Sequence, residues 1–183
     1  SSRLLSRIAR AHGLEHHTTL TGFKWIARAP GLGFGYEEAI GFCPDPAHVR
    51  DKDGIATSVV AASLVASLKA QGRSVWDELE RLARLHGLHV SSPLTFRVEE
   101  IEQIASGMAR LRAQPPSVLA GSPVVEVSDL SQGYRGLPPT DGVLVLTEAG
   151  DRVIARPSGT DPKLKCYLEV ILPVAEGEPL PWG

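Results

Sequence analysis

The sequence predicts a helix-rich α/β part to about residue 90 and a smaller α+β part beyond it. Two observations carry that division. Before residue 90 apolar residues recur at helical spacing at Leu4, Leu5, Ile8 and Ala11, and the stretch from Ile55 to Ala70, rich in Ala, Val, Leu and Ser, is too long for a strand. Later in the chain, short strand-like runs near 123–128, 142–147, 151–156 and 164–172 are joined by turns containing Gly, Pro and Asp.

Taken in order, Ser2 to His12 predicts a helix with Gly13 as its stop. Glu15 to Leu20 predicts a short strand leading into Thr21-Gly22-Phe23-Lys24. Gly33-Phe34-Gly35-Tyr36 approaches a loop, Glu37-Glu38-Ala39-Ile40-Gly41-Phe42, and Pro44-Asp45-Pro46 breaks the chain. Ile55 to Ala70 is too long for a strand and predicts a buried helix ending at Gly72. Ser74, with Asp77 three residues on, predicts the N-cap of an amphipathic helix running to His86. Leu88 to Val98 is strand-like, with Pro93 limiting any central pairing. Glu99 to Arg112 predicts a helix with Ile101, Ile104, Ala105, Met108 and Leu111 on one face, ended by Pro115-Pro116. The tail from Glu176 to Gly183 is a poor helix candidate.

Composition narrows the classes of function. The 183 residues are 43% hydrophobic, ample for a packed core, and a net charge of -2 gives no electrostatic footprint for nucleic acid or an anionic membrane. No apolar run approaches a membrane span, and Ser1-Ser2-Arg3-Leu4-Leu5 lacks a signal-peptide core. The two cysteines, Cys43 and Cys166, form no CxxC pair, so a reducing cytoplasm is the expected setting. His16 and His17 are adjacent on an expected strand and point to opposite faces, so no metal site is expected there.

Three loops carry chemistry. In Arg156-Pro157-Ser158-Gly159-Thr160-Asp161-Pro162-Lys163, Arg156 offers a planar fork for phosphate, while Ser158 and Thr160 add hydroxyls. Gly159 lets the backbone come close, and Lys163 and Lys165 add charge. An ordinary hairpin connection uses the same turn residues. Glu37 and Glu38 could accept hydrogen bonds from vicinal sugar hydroxyls, or form a solvent-facing acidic turn. Lys52 is either one charge of a solvated cluster or a proton-transfer group beside a ligand, with Arg50 as the neighbouring positive charge that such a role requires.

The ordered motifs Thr21-Gly22-Phe23-Lys24-Trp25-Ile26, Phe34-Gly35-Tyr36-Glu37-Glu38-Ala39-Ile40-Gly41-Phe42, Asp51-Lys52-Asp53-Gly54 and Arg156-Pro157-Ser158-Gly159-Thr160 closely resemble the third and fourth domains of the α-D-phosphohexomutase superfamily. The resemblance covers essentially the whole chain. It implies a partial mixed-sheet α/β domain over residues 1–90 with the sugar-binding loop. It implies a small α+β domain with an antiparallel sheet over 91–183 with the phosphate-binding loop. By match to the motifs, Glu37 and Glu38 would take sugar hydroxyls, with Thr21, Gly22 and Lys24 in the same substrate pocket. Lys52 resembles the family lysine that moves the proton on and off the attacking hydroxyl, and Arg156, Ser158, Gly159, Thr160 and Lys165 match phosphate ligands. Ala39 stands where a better-known branch has Ser, and Asp161 where Glu is more frequent.

The same resemblance implies a phosphoserine enzyme that uses magnesium and a glucose 1,6-bisphosphate-type activator. The chain contains neither a Thr-Ala-Ser-His-Asn-Pro type of loop for the phosphoserine nor an Asp-x-Asp-x-Asp-Arg run for magnesium. It is therefore expected to be the C-terminal portion of a phosphoglucomutase or phosphomannomutase, with sugar phosphates and the N-terminal domains of the same enzyme as partners, inactive alone. Magnesium would be bound by that N-terminal part. A phosphopentomutase and a non-catalytic phosphosugar-binding module are the alternatives.

Overall fold

A computed structural model describes residues 1–159 and 161–180. Thr160 and residues 181–183 lie outside the described residues, so the expected phosphate ligand Thr160 is not placed. The chain forms two compact units. One is Ser1–Leu88 together with the stretch that begins at Pro173, and the other is His89–Leu172.

The first unit begins with α1 (Leu4–Ala11), which Gly13 ends by taking a left-handed φ of 65°. The strand expected over Glu15 to Leu20 is not formed. A strand needs a neighbour to take its N–H and C=O groups. The sheet described in this unit is a two-stranded hairpin that does not reach that segment. The one-turn α2 (Phe23–Ile26) buries Phe23 and Ile26 around Cys43, with Leu32 packed alongside. The hairpin joins β1 (Gly35–Glu37) to antiparallel β2 (Gly41–Cys43), pairing Glu37 with Gly41 and stacking Tyr36 on Phe42 at 5.7 Å between ring centroids.

Helix α3 (Gly54–Ala70) starts where the Asp53 carboxylate accepts the Ala56 N–H at 2.9 Å. The expected burial of this helix is not found. Of its residues only Leu68 is buried, while Ile55 is 85% and Val59 63% exposed. Its apolar residues run around the whole helix, and this unit offers no broad sheet to receive them. Helix α4 (Val75–His86) opens with the expected capping box: the Ser74 hydroxyl accepts from the Asp77 N–H, and the Asp77 carboxylate accepts from the Ser74 N–H. Its Ala83 packs with Leu88 and Leu180.

The second unit is a six-stranded sheet ordered β3-β8-β7-β6-β5-β4, made of β3 (Leu88–Arg97), β4 (Val118–Leu119), β5 (Ser122–Asp129), β6 (Val143–Thr147), β7 (Arg152–Pro157) and β8 (Lys163–Leu172). From β4 through β8 every described pairing is antiparallel. β3 lies at the edge, where Pro93 can withhold its missing N–H from a ladder. Helix α5 (Ile101–Ala113) sets Ile104 and Met108 into a core with Val143, Val145 and Ala155, and Leu111 packs against it. Ile101 and Ala105, expected on the same face, are exposed. The helix touches the sheet along a single i, i+4, i+7 row, so the residues beside that row stay outside. Residues 173–180 form no helix, and the last three residues of the expected helix-free tail are outside the described ones.

Glu78 on α4 lies between Arg81 and Arg73, 2.5 and 2.6 Å away. The Arg81 hydrogen bonds lead in drawing its carboxyl from an ordinary 4.5 down to about 2, against a smaller opposing effect of burial, and Arg73 adds to the fall. A folded-state value below the unfolded one contributes stability above the unfolded value and loses it as pH falls. Glu78→Gln should therefore cost up to about 1 kcal/mol at pH 7, the upper end for surface ion pairs. That difference should fade between pH 4.5 and about 2. Urea unfolding of both proteins along that range checks it.

Candidate functional site

The site in the first unit is built on a carboxylate that the hairpin buries. Glu37 ends β1 and is 6% exposed. A buried carboxylate needs donors, and two are present. Its Oε2 accepts the Gly22 N–H at 3.0 Å, and its Oε1 pairs with Lys52 Nζ at 2.8 Å. Gly22 presents that N–H from a φ of 106°, a backbone conformation that side-chain-bearing residues rarely adopt. Lys52 Nζ also donates to the Ala39 carbonyl at 3.3 Å and lies 5.9 Å from the centre of the Phe23 ring. The Lys52 side chain remains 43% exposed. The pair therefore spans the boundary between interior and solvent, with the ammonium on the wet side.

Arg50 is exposed, and the charge placed against Lys52 Nζ is the opposite one, Glu37. The charge run around Lys52 has divided its work. Asp51 accepts the Lys52 N–H at 2.7 Å, Asp53 caps α3, and Lys52 turns to the hairpin. Glu38 does not join Glu37. It lies in the turn after β1 and pairs with the amino group of Ser1 at 3.1 Å. Thr21 is exposed beside Gly22, and Lys24 is exposed with its ammonium 6.0 Å from the Trp25 ring centre. Phe23 and Gly41 enter the site without having been singled out in the sequence.

The phosphate-type loop is the β7–β8 connection of the second unit. The Ser158 N–H donates to the Lys163 carbonyl at 2.9 Å and the Asp161 N–H to the Ser158 hydroxyl at 3.4 Å. Lys163 Nζ pairs with Asp161 at 2.8 Å, so its charge is met within the loop. Arg156 and Lys165 face each other directly across β7 and β8. Like charges directly opposite on a sheet are destabilising. Gly159 is exposed, and a Cβ there would meet nothing within 4 Å.

Further along the same ladder Arg152 faces Glu169 and pairs with it at 3.0 Å. The other Glu169 oxygen is 3.1 Å from His89 Nδ1, with the His89 and Glu169 side chains 1% and 2% exposed. This pairing of residues 80 apart has no signal in the sequence. It gives Arg152 a carboxylate partner within the ladder.

Among the described residues no group of three or more His, Cys, Asp or Glu side chains is arranged to hold a metal ion. Asp45 faces His48 at 2.7 Å, while Asp51 and Asp53 serve the backbone. The described residues thus do not fit the magnesium that the family resemblance implies. No helix among them is long and apolar enough to cross a membrane.

Two known domain models match the chain, one over each part. Residues 1–85 match the phosphoglucomutase/phosphomannomutase α/β/α domain III, and residues 94–177 match the C-terminal domain of the same family. The chain belongs to the phosphoglucomutase/phosphomannomutase family. It is 41% identical over 169 residues to a probable phosphomannomutase of Haemophilus influenzae, covering 92% of this chain and 34% of that protein. It is 31% identical to a phosphoglucomutase of Staphylococcus aureus, covering 94% of the chain and 35% of the relative. A phosphopentomutase of Mus musculus is 30% identical over 98% of the chain and 33% of its own length. The chain thus spans about a third of the length of the curated relatives it matches. Among solved structures, the open form of the Paramecium phosphoprotein pp63/parafusin superposes with a TM-score of 0.74 at 20% identity. That match covers 97% of this chain and 33% of the other, and it shows the fold.

The Glu37–Lys52 contact is testable by a double-mutant cycle. Lys52→Met keeps the apolar stem and removes the charge, leaving a buried carboxylate without its ammonium. It should cost about 1–2 kcal/mol, between the values for exposed and fully buried pairs. In the Glu37→Gln background the same change should cost measurably less. Equal losses in both backgrounds would show that the two side chains do not interact in solution.

Proposed function

We propose that this chain is the C-terminal portion of a phosphosugar mutase that interconverts hexose 1-phosphate and hexose 6-phosphate through a phosphoserine enzyme and a bisphosphorylated sugar. The observation that carries the reading is the segregation of chemistry. A buried carboxylate held by a lysine lies in one unit, and an opposed arginine–lysine pair lies in the other. Acceptors suit sugar hydroxyls, and cationic donors suit a phosphate dianion.

In this reading Glu37 accepts hydrogen bonds from sugar hydroxyls while its Oε1 holds Lys52 Nζ in place. Lys52 Nζ takes the proton from the attacking hydroxyl and later returns it to the leaving oxygen. Gly22 fixes the other Glu37 oxygen, so the carboxylate keeps one orientation as hydroxyls exchange. Thr21, Lys24 and Glu38 border this pocket. Arg156 grips the non-reacting phosphate with two N–H groups, and Ser158, Gly159, Thr160 and Lys165 complete the cradle. The nucleophilic phosphoserine, magnesium and a bisphosphate activator of the glucose 1,6-bisphosphate type belong to the two thirds of the family's length beyond this chain, and no step here runs through them. A cytoplasmic setting goes with this reading, and Cys43 and Cys166 are both free thiols.

The similarity to the mouse phosphopentomutase favours one second reading, in which a shorter sugar is held by the same two loops. Ala39, which brings no hydroxyl to the sugar loop, suits either.

Two substitutions in the full-length enzyme test the division of labour. Arg156→Ala should weaken glucose, mannose and ribose monophosphates alike, since all present the same dianion. A charge-assisted hydrogen bond of roughly 1.5–3 kcal/mol corresponds to about ten- to hundredfold. Glu37→Gln should cost unequal amounts among the three sugars. A changed preference order in Arg156→Ala with an unchanged order in Glu37→Gln, read as kcat/KM, would reverse the assignment.

A further inference from the structure

The β1–β2 turn puts its glycine in the wrong place for a turn. Ile40 takes the left-handed φ of 51°, where a β-branched residue is an outlier. The next residue, Gly41, is not in the left-handed region, so turn conformation does not require a glycine there. Space does. A Cβ at Gly41 would lie 2.7 Å from Phe23 Cε2, 2.8 Å from Glu37 Cγ and 2.9 Å from Lys52 Cε. All three clashes are with side chains of one cluster: the ring under Lys52, the carboxylate stem and the lysine stem. The cleft that admits the Lys52 stem exists because position 41 carries no side chain.

We propose that Gly41 is the positioning residue that seats Lys52 Nζ against Glu37. The proposal rests on the reading of Lys52 as the proton-transfer group only for its catalytic consequence, since the seating itself is a property of this chain. A methyl at position 41 meets a buried ring and a buried carboxylate stem that cannot yield. The half-exposed lysine is the member free to move, so the added methyl drives Nζ outward from Glu37 Oε1.

The test reads Lys52 directly. The folded 183-residue chain is treated with trace acetic anhydride at fixed pH, and acylation of each lysine is followed by peptide mass spectrometry. Exposed Lys69 on α3 is the internal reference. Ammonium held by Glu37 is protected, so Lys52 should label more slowly than Lys69, and Gly41→Ala should raise its rate. The expected rise is about fivefold, equivalent to about 1 kcal/mol at 1.4 kcal/mol per tenfold. Glu37→Gln, with Gly41 intact, should raise it similarly, while the rates of Lys24 and Lys69 and the circular dichroism stay unchanged. The double variant Ile40→Gly/Gly41→Ala provides a glycine where φ is 51°, which relieves the turn and guards against loss of folding. It should still show the raised rate. A Lys52 rate equal to that of the unmutated chain in this folded double variant would overturn the proposal. In the full-length enzyme Gly41→Ala should lower kcat with less change in KM. A displaced Lys52 with kcat intact would leave the seating established and overturn the proton-transfer reading instead.

Discussion

A carboxylate with 6% exposure on a three-residue strand is the constraint around which the first unit is arranged. Glu37 cannot be buried without donors, and each donor imposes a condition elsewhere. The Gly22 N–H requires a glycine-type φ just before α2. Lys52 requires that α3 begin two residues later, at Gly54, so that Asp53 can cap the helix while Lys52 turns back to the hairpin. The Lys52 stem in turn requires an empty position 41 over Phe23. Three stretches of the chain, at residues 22–23, 41 and 52–53, are thus tied to one side chain.

Two rungs of one ladder in the second unit differ in the charges they set opposite each other. Along the facing strands β7 and β8, Arg152 meets Glu169, and Arg156 meets Lys165. The first pairing closes on itself and takes in His89, so it contributes to structure. The second places two cations opposite each other beside a loop whose Gly159 is open.

Much of this was legible in the sequence because it rests on local rules. The Ser74–Asp77 capping box, the edge position of the Pro93 strand and the strands of the second unit follow from capping, ring chemistry and period-two runs. Residue type drew notice to the loops bearing Glu37, Lys52 and Arg156 but left an ordinary turn or a solvated charge run open at each. What failed was non-local. Among the described residues Glu15 to Leu20 pairs with no strand, and Ile55 to Ala70 has a core helix's composition with only Leu68 buried. Arg50 was placed beside Lys52 by adjacency, whereas the fold brings Glu37 there from 15 residues upstream of Lys52. His89 and Glu169 meet only because β3 and β8 are neighbours, which no local pattern encodes.

The division of acceptor and donor chemistry between the two units is tested most directly by titrating the isotopically labelled 183-residue chain with inorganic phosphate and following backbone amide shifts. Phosphate should move the Ser158, Gly159 and Lys165 amides along a saturable curve that Arg156→Ala flattens, leaving Gly22, Glu37 and Gly41 in place. Saturable shifts centred on Gly22 and Glu37, with the Arg156 loop unmoved, would contradict that division.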